Sequence, residues 1–176
     1  HPYLQEWLDI SQPQGEGHTA LVIGCGLGDD AEALAKLGFQ VTAFDVSAKA
    51  IAWCQERFPN SSVKYLVADL LALDSEWHHK FDLVLESRNI QALPVEMRAQ
   101  VVKCIPPLVA SGGKLLVITR IRDNDSVPDG PPWGLSEKEL AEFIRLGLQE
   151  VQRDLFLSEA GEEKIKQVRI EYCLNS

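Results

Sequence analysis

Much of what would direct a protein to a membrane, a nucleic acid or a metal is missing from this sequence. No apolar run approaches the ~20 residues needed to cross a bilayer, and no signal-peptide pattern follows His1-Pro2. Basic residues are scarce. Lys and Arg number 17 against 26 Asp and Glu, giving a net charge of −9. Phosphate backbones are bound by Lys and Arg clusters, so this balance argues against a nucleic-acid partner and favours a small-molecule or protein substrate. The four cysteines, Cys25, Cys54, Cys104 and Cys173, are scattered with no CxxC pair. That spacing makes neither a disulfide frame nor a zinc site. It fits the reduced thiols of a cytoplasmic protein, packed as small apolar side chains. Repeats, low-complexity tracts and linkers are absent too. At 176 residues the chain can fill one core but not two comfortable ones, so a single domain over residues 1–176 is expected. Oligomeric state is not readable, because an apolar face looks the same against its own chain or a second copy.

What is present centres on Leu21-Val22-Ile23-Gly24-Cys25-Gly26-Leu27-Gly28-Asp29-Asp30. It reads as a strand, a tight turn and the start of a helix over residues 30–37. Glycines at alternate positions let backbone approach a ligand and turn at positive φ, and the helix aims its free N–H groups at that turn. A nucleotide-like ligand fits there. A dinucleotide fingerprint needs glycine at its first, third and sixth places, but counted from Gly24 the sixth place holds Asp29. An acidic pair, Asp29-Asp30, is wrong for a pyrophosphate and acceptable for a cation. It equally suits a helix N-terminus with no ligand at all.

The rest of the chain alternates strand and helix. Residues 3–10 have helical apolar spacing, ended by Pro13 and Gly15. Thr19 to Ile23 is the first strand and Gln40 to Phe44 the second, closing on Asp45, a spacing at which an acid accepts hydrogen bonds from ribose hydroxyls. Ser47 is an N-cap for a helix to about Phe58, and Val63 to Val67 is a third strand ending at Asp69. Phe81 to Glu86 is the fourth strand. His18, His78 and His79 precede strands, at the end opposite to where open α/β sheets bind ligands. With His1 at the first position, all four histidines read as surface residues and none as a general base. Ser87-Arg88-Asn89 follows the fourth strand, and a helix from Val95 to Ile105 precedes a turn at Ser111-Gly112-Gly113 and a fifth strand, Lys114 to Thr119. Residues 123–134 form a Pro- and Gly-rich loop with the composition of a mobile lid. Ser136 and Glu139 make a capping box, and residues 149–157 and 166–174 alternate as a hairpin. The pattern implies an α/β fold: a seven-stranded, mostly parallel sheet flanked by helices, with a C-terminal antiparallel hairpin.

Gly24-x-Gly26-x-Gly28, Phe44-Asp45-Val46-Ser47-x-x-Ala50-Ile51, Ala68-Asp69-Leu70 and the terminal hairpin together resemble class I S-adenosylmethionine-dependent methyltransferases over nearly the whole chain. The resemblance implies S-adenosylmethionine as cofactor, held by Gly24, Cys25, Gly26, Gly28, Asp45, Val46, Asp69, Leu70 and Glu86, with Asp69 receiving the adenine amino group. It also implies that residues 1–15 form a cap, one that can continue upstream, in which Trp7 is a lid or plain packing, with packing favoured. Gly130-Pro131-Pro132-Trp133 before Ser136-x-x-Glu139-Leu140 is similar to the thiopurine and thiol/halide branch. That branch carries an acid-Arg pair after its fourth strand, whereas Ser87 here separates Glu86 from Arg88. The nucleic-acid branches fit worse. No Pro-Pro-aromatic turn follows the fourth strand, and Cys104-Ile105-Pro106 has the wrong order for a Pro-Cys nucleophile.

The expected activity is methyl transfer to a small soft or anionic acceptor, an S-acceptor among them. Aligning the acceptor and excluding water then matter more than a strong base. Arg88, by charge-assisted contact, and Trp133, by covering the site, are the acceptor-side candidates, with Asn89 and Arg120 behind them. Arg88 paired with a carboxylate and Trp133 packed under its own loop are the competing structural readings. No metal is expected. Asp123-Asn124-Asp125 is the one stretch that could hold a divalent ion, as in catechol-type enzymes, and an acidic loop is usually just solvated. The rival functions are an NAD-dependent oxidoreductase, disfavoured by Asp29, and a non-catalytic cofactor-binding protein of the same fold. Side-by-side titration with NADH and S-adenosylmethionine separates the first, and product formation the second.

Overall fold

A computed structural model describes residues 1–123, 126–160 and 163–176 of the chain. Its elements in order are α1 (Pro2–Ser11), β1 (Thr19–Ile23), α2 (Asp29–Lys36), β2 (Gln40–Asp45), α3 (Ala48–Arg57), β3 (Lys64–Val67), β4 (Phe81–Ser87), α4 (Val95–Cys104), β5 (Val109–Arg120), α5 (Glu137–Arg145), β6 (Gln149–Ala160) and β7 (Glu163–Cys173). One seven-stranded sheet has the order β3-β2-β1-β4-β5-β7-β6. The first five strands run parallel, while β7 is antiparallel to both β5 and β6. The fold expected from the alternation of strands and helices is therefore the one observed.

The apolar run of β1 is explained by its place. It is central and covered on both faces, so successive side chains enter two different cores. Ala20 and Val22 join α1, α2 and α3 through Leu4, Trp7, Leu34 and Ile51, whereas Leu21 and Ile23 join α4 and α5 through Val101, Val102, Leu140 and Phe143. Chain direction then positions the site. After β1 the sheet grows one way to β2 and β3, and β4 then returns to the other side of β1. The tips of β1 and β4 thus flank a topological switch point, where open α/β sheets leave a crevice.

Local signals behave as their chemistry requires. Ser47 Oγ accepts the Ala50 N–H at 3.2 Å to start α3. At α5, Ser136 Oγ accepts the Glu139 N–H at 3.2 Å while the Ser136 N–H donates to Glu139 Oε2 at 2.7 Å. The main departure lies in β5. The strand begins at Val109 rather than Lys114, and its register against β4 jumps from Phe81 opposite Val109 to Leu83 opposite Lys114. Ser111-Gly112-Gly113 is therefore a bulge inside a strand instead of a turn before one. Glycine is required there, since Gly112 has φ +73° and a Cβ on Gly113 would lie 2.8 Å from the Ala110 carbonyl oxygen. Trp7 is packing: it is buried, and its indole N–H donates to Glu171 Oε2 at 3.0 Å, fastening α1 to β7.

Candidate active site

The turn after β1 has the backbone its glycines imply, with φ of +58° at Gly24, +53° at Gly26 and +88° at Gly28. Each glycine serves a different end. A Cβ on Gly24 would sit 2.1 Å from Asn89 Oδ1, and one on Gly28 would sit 2.7 Å from the Tyr65 hydroxyl, so both are closed by packing. A Cβ on Gly26 meets nothing within 4 Å. Gly26 therefore presents open backbone to the crevice, held in place by its N–H donating to Asp45 Oδ2 at 3.0 Å. Asp45 Oδ1 takes the Ser47 N–H at 2.9 Å, which fixes the carboxylate at the tip of β2. Asp69 Oδ1 accepts the Leu71 N–H at 2.9 Å, capping a short 3-10 turn over residues 70–72.

Two cavities meet at this turn. The first, of about 360 Å³, is mostly apolar; it is lined by Gly24, Asp45, Val46, Asp69, Leu70 and Glu86 together with Leu71, Asn89, Ile90 and the α4 residues Met97 and Val101. The second, of about 470 Å³, is polar, and Gly24, Cys25, Gly26, Asp29, Asp30, Ser87, Arg88 and Asn89 line it. Gly24 and Asn89 belong to both. Asn89 seals the junction by donating its Nδ2 to the Ile23 carbonyl at 2.6 Å.

Glu86 closes the floor of the apolar cavity. It is fully buried at the end of β4, and its Oε1 accepts the N–H groups of Asn89 at 2.7 Å and Ile90 at 3.1 Å. Its Oε2 has no hydrogen-bond partner among the described residues. Burial pushes the carboxyl up to about 7, against the pull of those two N–H donors. On the polar side, Arg88 is exposed and adopts φ +64°, a conformation that costs a non-glycine residue on the order of 1 kcal/mol. Its own N–H, donating to the Ile118 carbonyl at 2.8 Å, fixes this geometry, and among the described residues its guanidinium has no carboxylate partner. Burial pushes the Cys25 thiol up to about 12, so it is neutral rather than a nucleophile.

The remaining candidates fall outside this junction. Trp133 is not among the residues lining the two cavities. Its indole N–H donates to the Pro128 carbonyl at 2.8 Å and its backbone N–H to the Gln91 carbonyl at 2.8 Å. The Trp133 carbonyl is held by Arg98, a buried guanidinium that also binds Gly134 and Glu139. Trp133 and Gly134 are thus pinned to α4 and, through Glu139, to α5. Asn124 and Asp125, the second and third residues of the possible metal stretch, lie outside the described residues. Asp29 is already balanced, because Arg57 binds both its oxygens and holds its carboxyl below the usual range. Of the four histidines expected at the surface, His1 instead lines the polar cavity. The α4 lining was not anticipated, although Met97, Val101 and Ile105 recur every four residues and all reach the apolar cavity.

The residues fit a nucleoside-bearing cation. An apolar slot carries carboxylates at the tips of β2 and beyond β3, and bare backbone at Gly26 faces the adjoining polar space. This sheet order with a reversed β7, and such a crevice at its switch point, define a class I S-adenosylmethionine-dependent methyltransferase. Comparison with known proteins agrees. The chain belongs to the methyltransferase-domain family, which residues 20–113, more than half of its length, match. It is 27% identical over 168 residues to a thiopurine S-methyltransferase of Aliivibrio salmonicida, covering 88% of this chain and 78% of that protein. A ubiquinone biosynthesis O-methyltransferase of Albidiferax ferrireducens is 30% identical over 131 residues, covering 72% of this chain and 50% of that one. Among solved structures, an N-methyltransferase from Bradyrhizobium japonicum in complex with S-adenosyl-L-homocysteine superposes with a TM-score of 0.77 at 21% identity, covering 99% of this chain and 87% of that one, and so shares its fold. S-adenosylmethionine is accordingly the expected cofactor. No described helix is long and apolar enough to cross a membrane.

Proposed function

We propose that the chain, acting as one domain over residues 1–176 in the cytoplasm, methylates a small soft or anionic acceptor, with sulfur as the first atom to test. The observation that carries this reading is the pairing of two cavities across Gly24 and Asn89, one apolar with carboxylates and one polar with an arginine that has no carboxylate partner among the described residues. When bound, S-adenosylmethionine supplies an electrophilic methyl on a sulfonium, and no strong base is compulsory for its transfer. In this reading Gly24, Cys25, Gly26 and Gly28 shape the backbone cradle. Asp45 accepts from ribose hydroxyls, while Val46 and Leu70 flank the base beside Asp69. Glu86 sits beneath the cavity. Arg88 orients an anionic group of the acceptor through a charge-assisted contact. Trp133 spends its indole N–H on Pro128 and lines neither cavity, so its part on the acceptor side is indirect, its backbone N–H holding Gln91, which lines the polar cavity.

The thiopurine relative favours sulfur, and the ubiquinone relative keeps oxygen acceptors in the panel. The test is turnover of S-adenosylmethionine to S-adenosylhomocysteine with anionic thiols, neutral thiols and phenols side by side. Anionic thiols should turn over fastest, and Arg88→Ala should raise KM for them more than for neutral thiols. Equal KM increases for both would remove Arg88 from acceptor recognition. Cofactor binding with no product from any acceptor would favour a non-catalytic role.

A further inference from the structure

Glu86 has one oxygen that no contact among the described residues explains. Its Oε1 holds the loop after β4 through Asn89 and Ile90, whereas Oε2 is fully buried and has no partner among the described residues; the residue itself lines the apolar cavity. A carboxyl group with an idle oxygen inside a protein costs stability, and a glutamine would make the same Oε1 contacts without the charge. The neighbouring groups offset this only in part: the Asn89 side chain and Arg98 favour the charged carboxylate, yet burial outweighs them. Among the described residues the charged groups around the cavity are Asp45 and Asp69, at the tip of β2 and beyond β3, and Arg98 on α4. Arg98 is committed to the carbonyls of Leu93 and Gly134 and to Glu139. Strands β1 and β5 contribute uncharged side chains on this face, Ile23 and Val117 among them. Asp45 has both oxygens engaged, and Asp69 is exposed to solvent that screens it. Of these three carboxylates Glu86 alone is both idle at one oxygen and desolvated, so its charge acts through the lowest effective dielectric in the site.

Resting on the reading of this cavity as the cofactor site, we propose that Glu86 is a specificity-determining residue that selects the positively charged methyl donor over its neutral thioether product. The donor carries one positive charge more than S-adenosylhomocysteine, and in every other group the two molecules are alike apart from the methyl. A nearby carboxylate is stabilised by the first and not by the second. Donor entry drives the Glu86 proton out to solvent, and once the methyl has left, the carboxyl takes a proton back and its attraction for the ligand disappears. The carboxyl is poised for this exchange, being raised to about 7 before any ligand arrives. The sign follows. A cation lowers that value, so donor affinity gains nothing while Glu86 is protonated in both states, rises as pH passes through the window below 7, and levels off above it.

Calorimetry of S-adenosylmethionine and S-adenosylhomocysteine on the wild type and Glu86→Gln tests this. In the wild type the donor-to-product affinity ratio should rise roughly fivefold to tenfold between pH 5 and pH 7.5, as expected for a one-unit shift by a nearby charge. In Glu86→Gln the ratio should be flat. Independently of any variant, titrations at pH 7 in two buffers of different ionisation enthalpy should show proton release with the donor and none with the product. Equal proton release for both ligands, or the same pH-dependent ratio in Glu86→Gln, overturns the proposal while leaving the cofactor site standing. Silence of both ligands on the wild type overturns the cofactor-site reading and this inference with it.

Discussion

The tips of β2 and β4 each end in a carboxylate beside the same glycine turn, and the fold treats them in opposite ways. Asp45 is half-exposed, with Oδ2 taken by the Gly26 N–H and Oδ1 by the Ser47 N–H. Glu86 is fully buried, with one oxygen used and one idle among the described residues. Asp45 sits where β2 opens to solvent, so its charge is hydrated and its geometry is fixed by local backbone. Glu86 points between β1, β5 and α4, where the loop it anchors offers its donors. The same functional group is thus a fixed hydrogen-bond acceptor at one strand end and, in the role proposed above, a proton-exchanging group at the other. Environment, not residue type, divides their roles.

The most severe way to break this contrast is at Gly24, which lies between the two. Gly24→Ala places a methyl 2.1 Å from Asn89 Oδ1 at φ +58°, displacing the residue whose N–H Glu86 holds. Strain and overpacking together should cost about 2–5 kcal/mol of stability by denaturant unfolding and abolish donor binding.

Next in size is Glu86→Gln. The buried wild-type carboxyl, raised from 4.5 to about 7, binds more protons folded than unfolded across that window, so wild-type stability falls as pH rises through it. Glutamine lacks this dependence. The variant should unfold like the wild type at pH 4.5 and be more stable by about 3 kcal/mol at pH 8, measured by urea melts. Asp45→Ala should leave the preference between donor and product untouched. It removes two backbone contacts and a ribose acceptor, weakening donor and product alike by about 10- to 100-fold, with no change in their ratio. Smallest is Arg57→Ala. Its pair with Asp29 is solvent-exposed and screened, so the urea midpoint should barely move, and what loss there is should shrink in high salt.

How much of this was legible in the sequence follows from how local each signal is. The glycine turn, the Ser47 cap and the Ser136–Glu139 box depend on residues a few positions apart, and all are present. Asp45 was legible because strand length and the turn fix where it emerges. Glu86 could be placed at the end of β4, but the isolation of its Oε2 comes from β1, β5 and α4 closing around it, contacts that no short window contains. Arg57 reaches Asp29 across 28 positions, which is why the acidic pair looked freer than it is. Residues 123–134 read as a lid by composition; the buried Arg98 that ties down their end at Trp133 and Gly134 is 36 positions from Gly134. The bulge in β5 was missed because a Ser-Gly-Gly run has the same composition in a turn and inside a strand.

The most direct test of the account is a crystal structure with S-adenosylhomocysteine bound. It should place the ribose hydroxyls on Asp45, the base among Val46, Leu70 and Ile90, and the sulfur on the Gly24 side of the crevice within reach of the Glu86 carboxyl. Density for the ligand in a different cavity, or a ribose that leaves Asp45 untouched, would contradict it.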